Sequence, residues 1–126
     1  MSASMLKYLI AADSLCDGEN GVSLTALALK AGVTKVSASR AVDRLETYGY
    51  LSRESKKKIV LTKKGVDSLR TYMREVYVLR DALMQICKLP RNVAYHEALK
   101  AVGALSGRSI EALTDFFEKN VVKKAV

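Results

Sequence analysis

The chain has 126 residues, of which 49% are hydrophobic, and its formal net charge is +8 at pH 7. This length allows one domain, or one small domain with an appended helical module, to bury a core without disulfide bonds or a structural metal. The sequence contains no stretch apolar enough to span a bilayer and no apolar core of a signal peptide, so we expect a cytoplasmic protein. Cys16 and Cys87 belong to no CxxC pair, and we interpret both as buried thiols in a reducing compartment.

The positive charge is concentrated between residues 30 and 64. This segment has ten basic and three acidic side chains, a balance of +7, whereas the remaining eleven basic and ten acidic side chains nearly cancel. Such a distribution favours nucleic-acid binding. Charge alone is weak evidence, because many basic proteins bind no nucleic acid.

The first two predicted helices are short and amphipathic. Apolar residues recur at helical spacing from residue 4 to residue 16, where Ser4 is a suitable N-cap. A second helix begins near Ser23 or Thr25, either of which can cap it. Gly32 is suited to the left-handed position after its end.

The third predicted helix opens after Thr34, which can cap it, and ends at Gly49. Helical spacing divides its side chains into an apolar inner stripe and a polar outer face. The inner residues are Ala38, Ala41, Val42 and Leu45, and the outer or flanking ones are Lys35, Ser37, Ser39, Arg40 and Arg44. Helix, turn and helix in this order predict a helix-turn-helix.

Two short apolar runs follow, at residues 50 to 52 and 59 to 61, with Lys56, Lys57 and Lys58 between them. They predict a β-hairpin, or wing, although its tip lacks the Asn-Gly or Asp-Gly pair that favours a tight turn. A short third strand could form at residue 22.

Three more helices are predicted after the wing. Thr62 caps a long helix over about residues 63 to 89, which Pro90 stops, and either Ser106 or Ser109 caps the last helix. An apolar seam with coiled-coil-like +3 and +4 spacing runs along the long helix, formed by Leu69, Tyr72, Val76, Leu79, Leu83 and Ile86.

The polar face of the third helix carries side chains suited to the major groove of DNA, which admits one α-helix. Ser37 and Ser39 are short enough to bond base edges, and Arg40 is suited to a forked contact with guanine. Thr34 and Arg44 are placed for phosphates, and the wing lysines for a flanking phosphate row or the minor groove. We predict a DNA-binding surface formed by Thr34, Lys35, Ser37, Ser39, Arg40, Arg44, Arg53, Lys56, Lys57 and Lys58.

Each of these residues also has a purely structural interpretation. The lysine run can be a solvated tip that protects an edge strand from aggregation. Lys35 and Arg40 can belong to an ordinary exposed helix face, and Ser37 and Ser39 can simply permit close approach. A winged-helix protein-interaction module that does not bind DNA is therefore the alternative function. We predict no enzymatic activity, because the sequence has no catalytic set of side chains and no glycine-rich phosphate loop.

The run VTKVSASRAVDRLETYGYL, followed by IVLTKKG, a long helix and LSGRSIEALTDFF, resembles the DtxR/MntR family of metal-dependent repressors. The closer likeness is to its short, manganese-responsive branch. The resemblance implies a winged helix-turn-helix domain over residues 1–65, then a long linker helix and a helical dimerisation module over 66–126. It also implies a homodimer held mostly by helices 5 and 6, bound to a near-palindromic operator with half-sites about 34 Å apart.

The family's metal ligands are carboxylates and imidazoles from helices 1, 4 and 5. The matching positions here hold Lys7, Ile10, Tyr77, Leu99, Val102 and Gly103. None offers a carboxylate or imidazole, and Lys7 would place a positive charge where the cation should sit. We therefore predict no cofactor at this site, and Mn²⁺ or Fe²⁺ rests on the resemblance alone.

His96 is the only histidine of the chain. A relocated metal site would need it to recruit Glu97, Asp81, Glu75 or Cys87. Adjacent helical residues point about 100° apart, so His96 and Glu97 cannot easily share one ion. A surface or dimer-edge histidine is the better interpretation.

Three hypotheses remain for regulation. The protein could bind DNA constitutively, or it could respond to a partner protein. It could also respond to another ligand in the former metal cavity, which would now be lined by Tyr77, Leu99 and Val102.

Overall fold

A computed structural model describes residues 2–16, 21–55 and 57–122 of the chain. The described chain is mostly helical with one two-stranded antiparallel sheet, which confirms the predicted mainly α class with a small hairpin. It forms two compact units, Ser4–Leu69 and the residues from Arg70 onwards. In chain order the elements are α1 (Ala3–Leu15), α2 (Leu24–Ala31), α3 (Lys35–Thr47), β1 (Leu51–Ser55), β2 (Lys58–Leu61), α4 (Lys63–Ile86), α5 (Arg91–Ala104) and α6 (Gly107–Asn120).

Local capping signals set the bounds of α2. The Ser23 hydroxyl accepts a hydrogen bond from the Ala26 backbone N–H at 3.1 Å, so Ser23 and not Thr25 is the N-cap. Gly32 has φ +71° after the last turn, in the left-handed region that was predicted for it. By contrast, α1 begins and ends one residue earlier than predicted.

The core of the first unit combines large side chains from all three of its short helices with both strands of the hairpin. Each is at most 1% exposed, and burying one such side chain stabilises a fold by about 1.5–3 kcal/mol. These residues are Leu6 and Leu9 of α1, Leu27 of α2, Leu45 of α3, Leu51 of β1 and Ile59 of β2.

The hairpin is longer than the two apolar runs predicted. β1 and β2 have five and four residues, because polar residues continue the ladder towards the tip. Leu51 pairs with Leu61 and Arg53 with Ile59, and the register shifts beyond Arg53. Val22 exchanges backbone hydrogen bonds of 2.8 Å with Ile59, so the expected third strand is a single bridge.

The bounds of α4 follow from Thr62 and Pro90. The Thr62 hydroxyl accepts from the Gly65 N–H at 3.0 Å and donates to the Gly49 carbonyl, so Thr62 caps α4 as predicted. The helix ends at Ile86, three residues earlier than predicted. Pro90 has no N–H to bond the Ile86 carbonyl, and its ring crowds that carbonyl, so the next turn is lost.

The interpretation of both cysteines as buried is wrong. Cys16 is half-buried and Cys87 is exposed, and neither forms a disulfide bond. Both follow the last residue of a helix, because α1 ends at Leu15 and α4 ends at Ile86. Both cysteines therefore lie just beyond the helices in which they were predicted.

In the second unit, α5 and α6 each bury one row of small or medium side chains. Ala94, Ala98 and Val102 are spaced four residues apart along α5, and Ile110 and Thr114 are spaced likewise along α6. This is the spacing of one helix face. Among the described residues, no helix combines the length and the apolar character needed to cross a bilayer.

Charged side chains connect α4 with α6. Arg74 Nη2 lies 2.9 Å from Glu118 Oε2 and 3.7 Å from Asp115 Oδ1. Glu75, beside it in sequence, is only 8% exposed. Burial raises the pKa of the Glu75 carboxyl, Arg74 opposes this increase, and Glu111 and Asp115 add to it.

Gly65 is expected to tolerate no side chain, because a Cβ atom there would overlap the Tyr50 carbonyl oxygen. Overpacking of this kind typically costs about 1–3 kcal/mol, so Gly65→Ala should lower the free energy of unfolding by at least that amount. Gly107→Ala is the control, since no atom lies within 4 Å of its Cβ position. Urea denaturation of both variants tests the expectation. Equal unfolding midpoints for the two would contradict this close approach of α4 to the Tyr50 backbone.

Candidate nucleic-acid interface

The orientation of α3 is fixed by its N-cap and by its buried side. The Thr34 hydroxyl accepts from the Ser37 backbone N–H and donates to the Ser37 hydroxyl, both at 3.1 Å. This confirms Thr34 as the cap. The predicted inner stripe is also confirmed, because four side chains spaced along one side of α3 are at most 7% exposed: Ala38, Ala41, Val42 and Leu45.

The opposite face of α3 is open to solvent and carries the predicted basic residues. Lys35, Ser37, Arg40 and Arg44 are exposed, and Ser39 is half-buried. Residues 36, 40 and 44 follow one another at four-residue spacing, so they form a row along the helix surface. The structure therefore brings five of the predicted residues together on one helix.

Val36 belongs to that row, although it was not among the predicted site residues. Its side chain is 61% exposed, which is unusual for a large apolar residue. The missed signal was its place in the helical period, because Val36 falls between the outward positions Lys35 and Ser37 and outside the inner stripe.

Arg53 lies on the hairpin but bonds to α3. Its Nη2 donates to the Ser39 carbonyl at 3.0 Å and to the Ser39 hydroxyl at 3.3 Å, and lies 3.3 Å from Asp43 Oδ1. Its backbone N–H donates to Glu46 Oε2 at 2.9 Å. One arginine therefore ties β1 to the centre of α3. Arg53 was predicted as a DNA contact, and no local sequence pattern indicates its bond to Ser39.

The hairpin tip carries one open lysine and one paired lysine. Lys57 is exposed, and its backbone N–H donates to the Ser55 hydroxyl at 3.2 Å. Lys58 Nζ lies 3.2 Å from Glu54 Oε2, in an exposed ion pair. Lys56 lies outside the described residues.

All three acidic side chains of the basic segment are engaged within the protein. Asp43 faces Arg53, Glu46 accepts the Arg53 backbone N–H, and Glu54 faces Lys58. Within the described ranges, no carboxylate lies within 4 Å of the charged groups of four exposed residues: Lys35, Arg40, Arg44 and Lys57. The surface formed by α3 and the hairpin tip is therefore positive at close range.

A cleft of about 670 Å³ separates this surface from the start of α2. Its walls come from three places: the first turn of α2, one edge of α3, and the tip of the hairpin. The lining residues are Ser23, Leu24, Thr25, Lys35, Val36, Ser39 and Lys57. Thr25 was predicted only as a possible cap, but it lies exposed on this wall near a helix N-terminus, which favours anions.

The residues at the positions that a DtxR/MntR-like metal site would use do not fit a divalent cation. The Tyr77 ring stacks on Tyr95, and the guanidinium carbon of Arg80 lies 4.8 Å from the centre of the Tyr77 ring. A fixed positive charge at that distance disfavours a second cation. Nowhere in residues 2–16, 21–55 and 57–122 do three or more His, Cys, Asp or Glu side chains converge as ligands would.

No protein-family model and no curated protein matches the sequence. Solved structures do match. A hypothetical protein from Sulfolobus solfataricus is 17% identical with a TM-score of 0.76, over 94% of this chain and 91% of that one. IdeR of T. acidophilum is 15% identical with a TM-score of 0.62, over 93% of this chain. A manganese-dependent transcriptional repressor in complex with manganese is 23% identical with a TM-score of 0.66, over 92% of this chain.

The chains of IdeR and of the manganese-dependent repressor are longer than this one. The chain spans 54% of the IdeR chain and 53% of the manganese-dependent repressor chain. At these identities the likeness establishes a shared fold, and it supports the resemblance drawn from the sequence at the level of the fold.

Arg53→Lys should destabilise the first unit, because one ammonium cannot reproduce the contacts of the guanidinium with Ser39. Hydrogen bonds to charged groups contribute about 1.5–3 kcal/mol, so we expect a loss of that order in the free energy of unfolding. The ion pair with the exposed Asp43 adds little. Arg44→Lys, at an exposed position, is the control and should change stability by less than about 0.5 kcal/mol. Chemical denaturation compares the two variants. An unchanged unfolding midpoint for Arg53→Lys would show that the bonds of Arg53 to Ser39 do not stabilise the first unit.

Proposed function

We propose that the protein is a dimeric, sequence-specific DNA-binding transcriptional regulator, with α3 as the helix that enters the major groove. The observation that carries the proposal is the group of cations without a carboxylate partner, Lys35, Arg40 and Arg44, on the open face of a helix whose other face is buried. An α-helix of this kind fits the major groove, and phosphates supply the missing counter-charges.

Each side chain of this surface has a role in the proposal. Arg40 contacts guanine and Val36 contacts a thymine methyl group, which is the apolar feature of the major groove. Lys35, Arg44 and Lys57 meet phosphates. Thr34, Ser37, Ser39, Lys56 and Lys58 stay in the proposal as DNA contacts predicted from the sequence.

In this proposal Arg53 positions the hairpin relative to α3. Because its guanidinium already bonds Ser39 and faces Asp43, it sets the angle between the hairpin and α3. The wing lysines are then held at a fixed distance from the helix that enters the groove. Its predicted role as a direct DNA contact is secondary.

The proposed dimer uses the apolar residues that the second unit exposes. Leu113 and Phe116 of α6 are 39% and 57% exposed, and Leu105, just before α6, is 46% exposed. Val93 of α5 is 38% exposed. A second copy of the chain would cover these side chains, with residues 66–126 as the dimerisation domain and residues 1–65 as the DNA-binding domain. Twofold symmetry then implies a near-palindromic operator with half-sites about 34 Å apart.

The fold supports repression as the type of control, because one structure that shares it is a manganese-dependent transcriptional repressor. In this proposal the protein shares that architecture and answers to a signal other than a divalent metal at the usual site.

The alternative is a protein-interaction module with the same fold. Leu29 of α2 and Val36 of α3 favour it, because they are 78% and 61% exposed and apolar. Under this alternative the face of α3 binds a protein and the chain has no affinity for duplex DNA at low salt.

Binding to a pool of random DNA duplexes distinguishes the two functions. With about six phosphate contacts, affinity should fall roughly a thousandfold between 50 and 200 mM salt. Arg40→Ala should change the preferred site at one base pair, with a loss of about 1–3 kcal/mol in discrimination. Lys57→Ala should weaken binding to all sequences alike and reduce the salt dependence by about one ion.

Lys7→Ala serves as the control, because it removes one exposed charge from α1. It should leave both sequence preference and the salt dependence unchanged. An Arg40→Ala protein that selects the same site as the wild type would mean that α3 is not the helix that contacts the bases.

Phe116→Asp should separate the proposed dimer, because it places a charge where α6 has its most exposed large apolar side chain. We expect a shift from dimer to monomer in sedimentation equilibrium, with unchanged helical content by circular dichroism. Phe116→Leu keeps an apolar side chain and should remain dimeric. If the Phe116→Asp protein is still dimeric, the dimer interface lies elsewhere.

A further inference from the structure

The second unit has a cavity of about 510 Å³ at the start of α5. It is lined by Arg80 of α4 and by Arg91, Asn92, Tyr95 and His96 of α5. The lining contains two guanidinium groups, an imidazole and an amide, and no carboxylate. It differs from the cavity hypothesised from the sequence, whose residues were Tyr77, Leu99 and Val102.

Arg80 is held in place before any ligand arrives. Its Nε donates to Asp81 Oδ1 at 2.9 Å, its guanidinium carbon lies 4.8 Å from the centre of the Tyr77 ring, and its side chain is only 14% exposed. Asp81 takes one of the five N–H donors of the guanidinium. Within the described residues, the terminal nitrogens of Arg80 have no hydrogen-bond partner and are not sealed from solvent. They are therefore available to an anion in the cavity.

The first turn of α5 adds further donors to the same place. Its N-cap is Pro90, which provides no side-chain hydrogen bond, whereas Ser106 caps α6 with its hydroxyl. The first amides of α5 therefore lack a capping acceptor, and the helix dipole makes this end positive. Arg91, the first residue of the helix, is exposed and adds a second guanidinium.

Tyr95 gives the cavity a flat aromatic wall. Its ring is half-buried and stacks on Tyr77, with centroids 6.5 Å apart and planes 29° apart, and His96 meets its edge at 5.9 Å. Burial raises the pKa of the Tyr95 phenol, Tyr77 adds to this and Arg80 opposes it, so the charge of Arg80 acts at this ring. A ring fixed beside two guanidinium groups suits a ligand that is both planar and anionic.

We infer that this cavity binds a small organic phosphate that carries a planar ring, as a nucleoside monophosphate does. Arg80, Arg91 and the amide end of α5 hold the phosphate, and the ring stacks against Tyr95. The volume lies within the range of small-molecule sites, about 300–1,000 Å³. The inference does not rest on DNA binding, because every residue that it uses belongs to the second unit.

Calorimetric titration of the full chain tests this with three probes: AMP, inorganic phosphate and adenosine. AMP should bind at least tenfold more tightly than inorganic phosphate or adenosine, because phosphate lacks the ring and adenosine lacks the charge. Equal affinity for AMP and inorganic phosphate would mean that the cavity binds an adventitious ion only, and would overturn the inference. Absence of AMP binding would also overturn it.

Two pairs of variants locate the site. Arg91→Gln should weaken AMP binding by about 10- to 100-fold, the range for a lost charge-assisted hydrogen bond. Arg108→Gln, an exposed arginine in the first turn of α6, is the matched control and should bind as the wild type does. Tyr95→Phe should retain affinity for AMP, and Tyr95→Leu should reduce it towards that of inorganic phosphate.

If Arg91→Gln and Arg108→Gln bind AMP equally, the phosphate lies elsewhere and the inference is wrong. The titrations are run without DNA, so a failure here leaves the proposed function intact. Conversely, if the protein binds AMP but no DNA duplex, the proposed function is wrong and the inference of an AMP-like ligand stands.

Discussion

The burial of one side of α3 determines what the first unit presents to solvent. Ala38, Ala41, Val42 and Leu45 have at most 7% exposure, so the helix cannot roll without bringing polar side chains into the core. With the Thr34 cap fixing its first turn, the outward direction of the basic residues is a consequence of packing. The long cationic side chains need no contact of their own to be oriented, and they remain free to bind.

Local contacts hold the acidic side chains of this segment within the protein. Each acid between residues 30 and 64 is satisfied by a neighbour, and Arg53 alone engages both Asp43 and Glu46. The cations beside Asp43 and Glu54 offset the repulsion that these carboxylates would exert on phosphate, whereas Glu46 accepts a neutral backbone N–H and keeps its charge. The cost falls on Arg53, whose Nε is buried without a hydrogen-bond partner. The tie between hairpin and helix is thus made with one donor left unsatisfied.

The features predicted correctly are those encoded by local periodicity and capping. The inner stripe of α3, the caps Thr34 and Thr62 and the left-handed Gly32 depend on residues within one or two turns. The contact of Arg53 with Ser39 joins positions 14 residues apart, which no local pattern encodes. The early end of α4 was predictable in principle, because a proline acts on the carbonyl four residues before it. Cys87 was misplaced for the same reason.

The second unit shows why a resemblance in fold does not transfer a ligand. The fold is shared with a repressor described in complex with manganese. In this chain, however, the guanidinium of Arg80 lies over the ring of Tyr77. A fixed cation at this position disfavours a divalent cation, so the shared fold does not bring a metal preference with it.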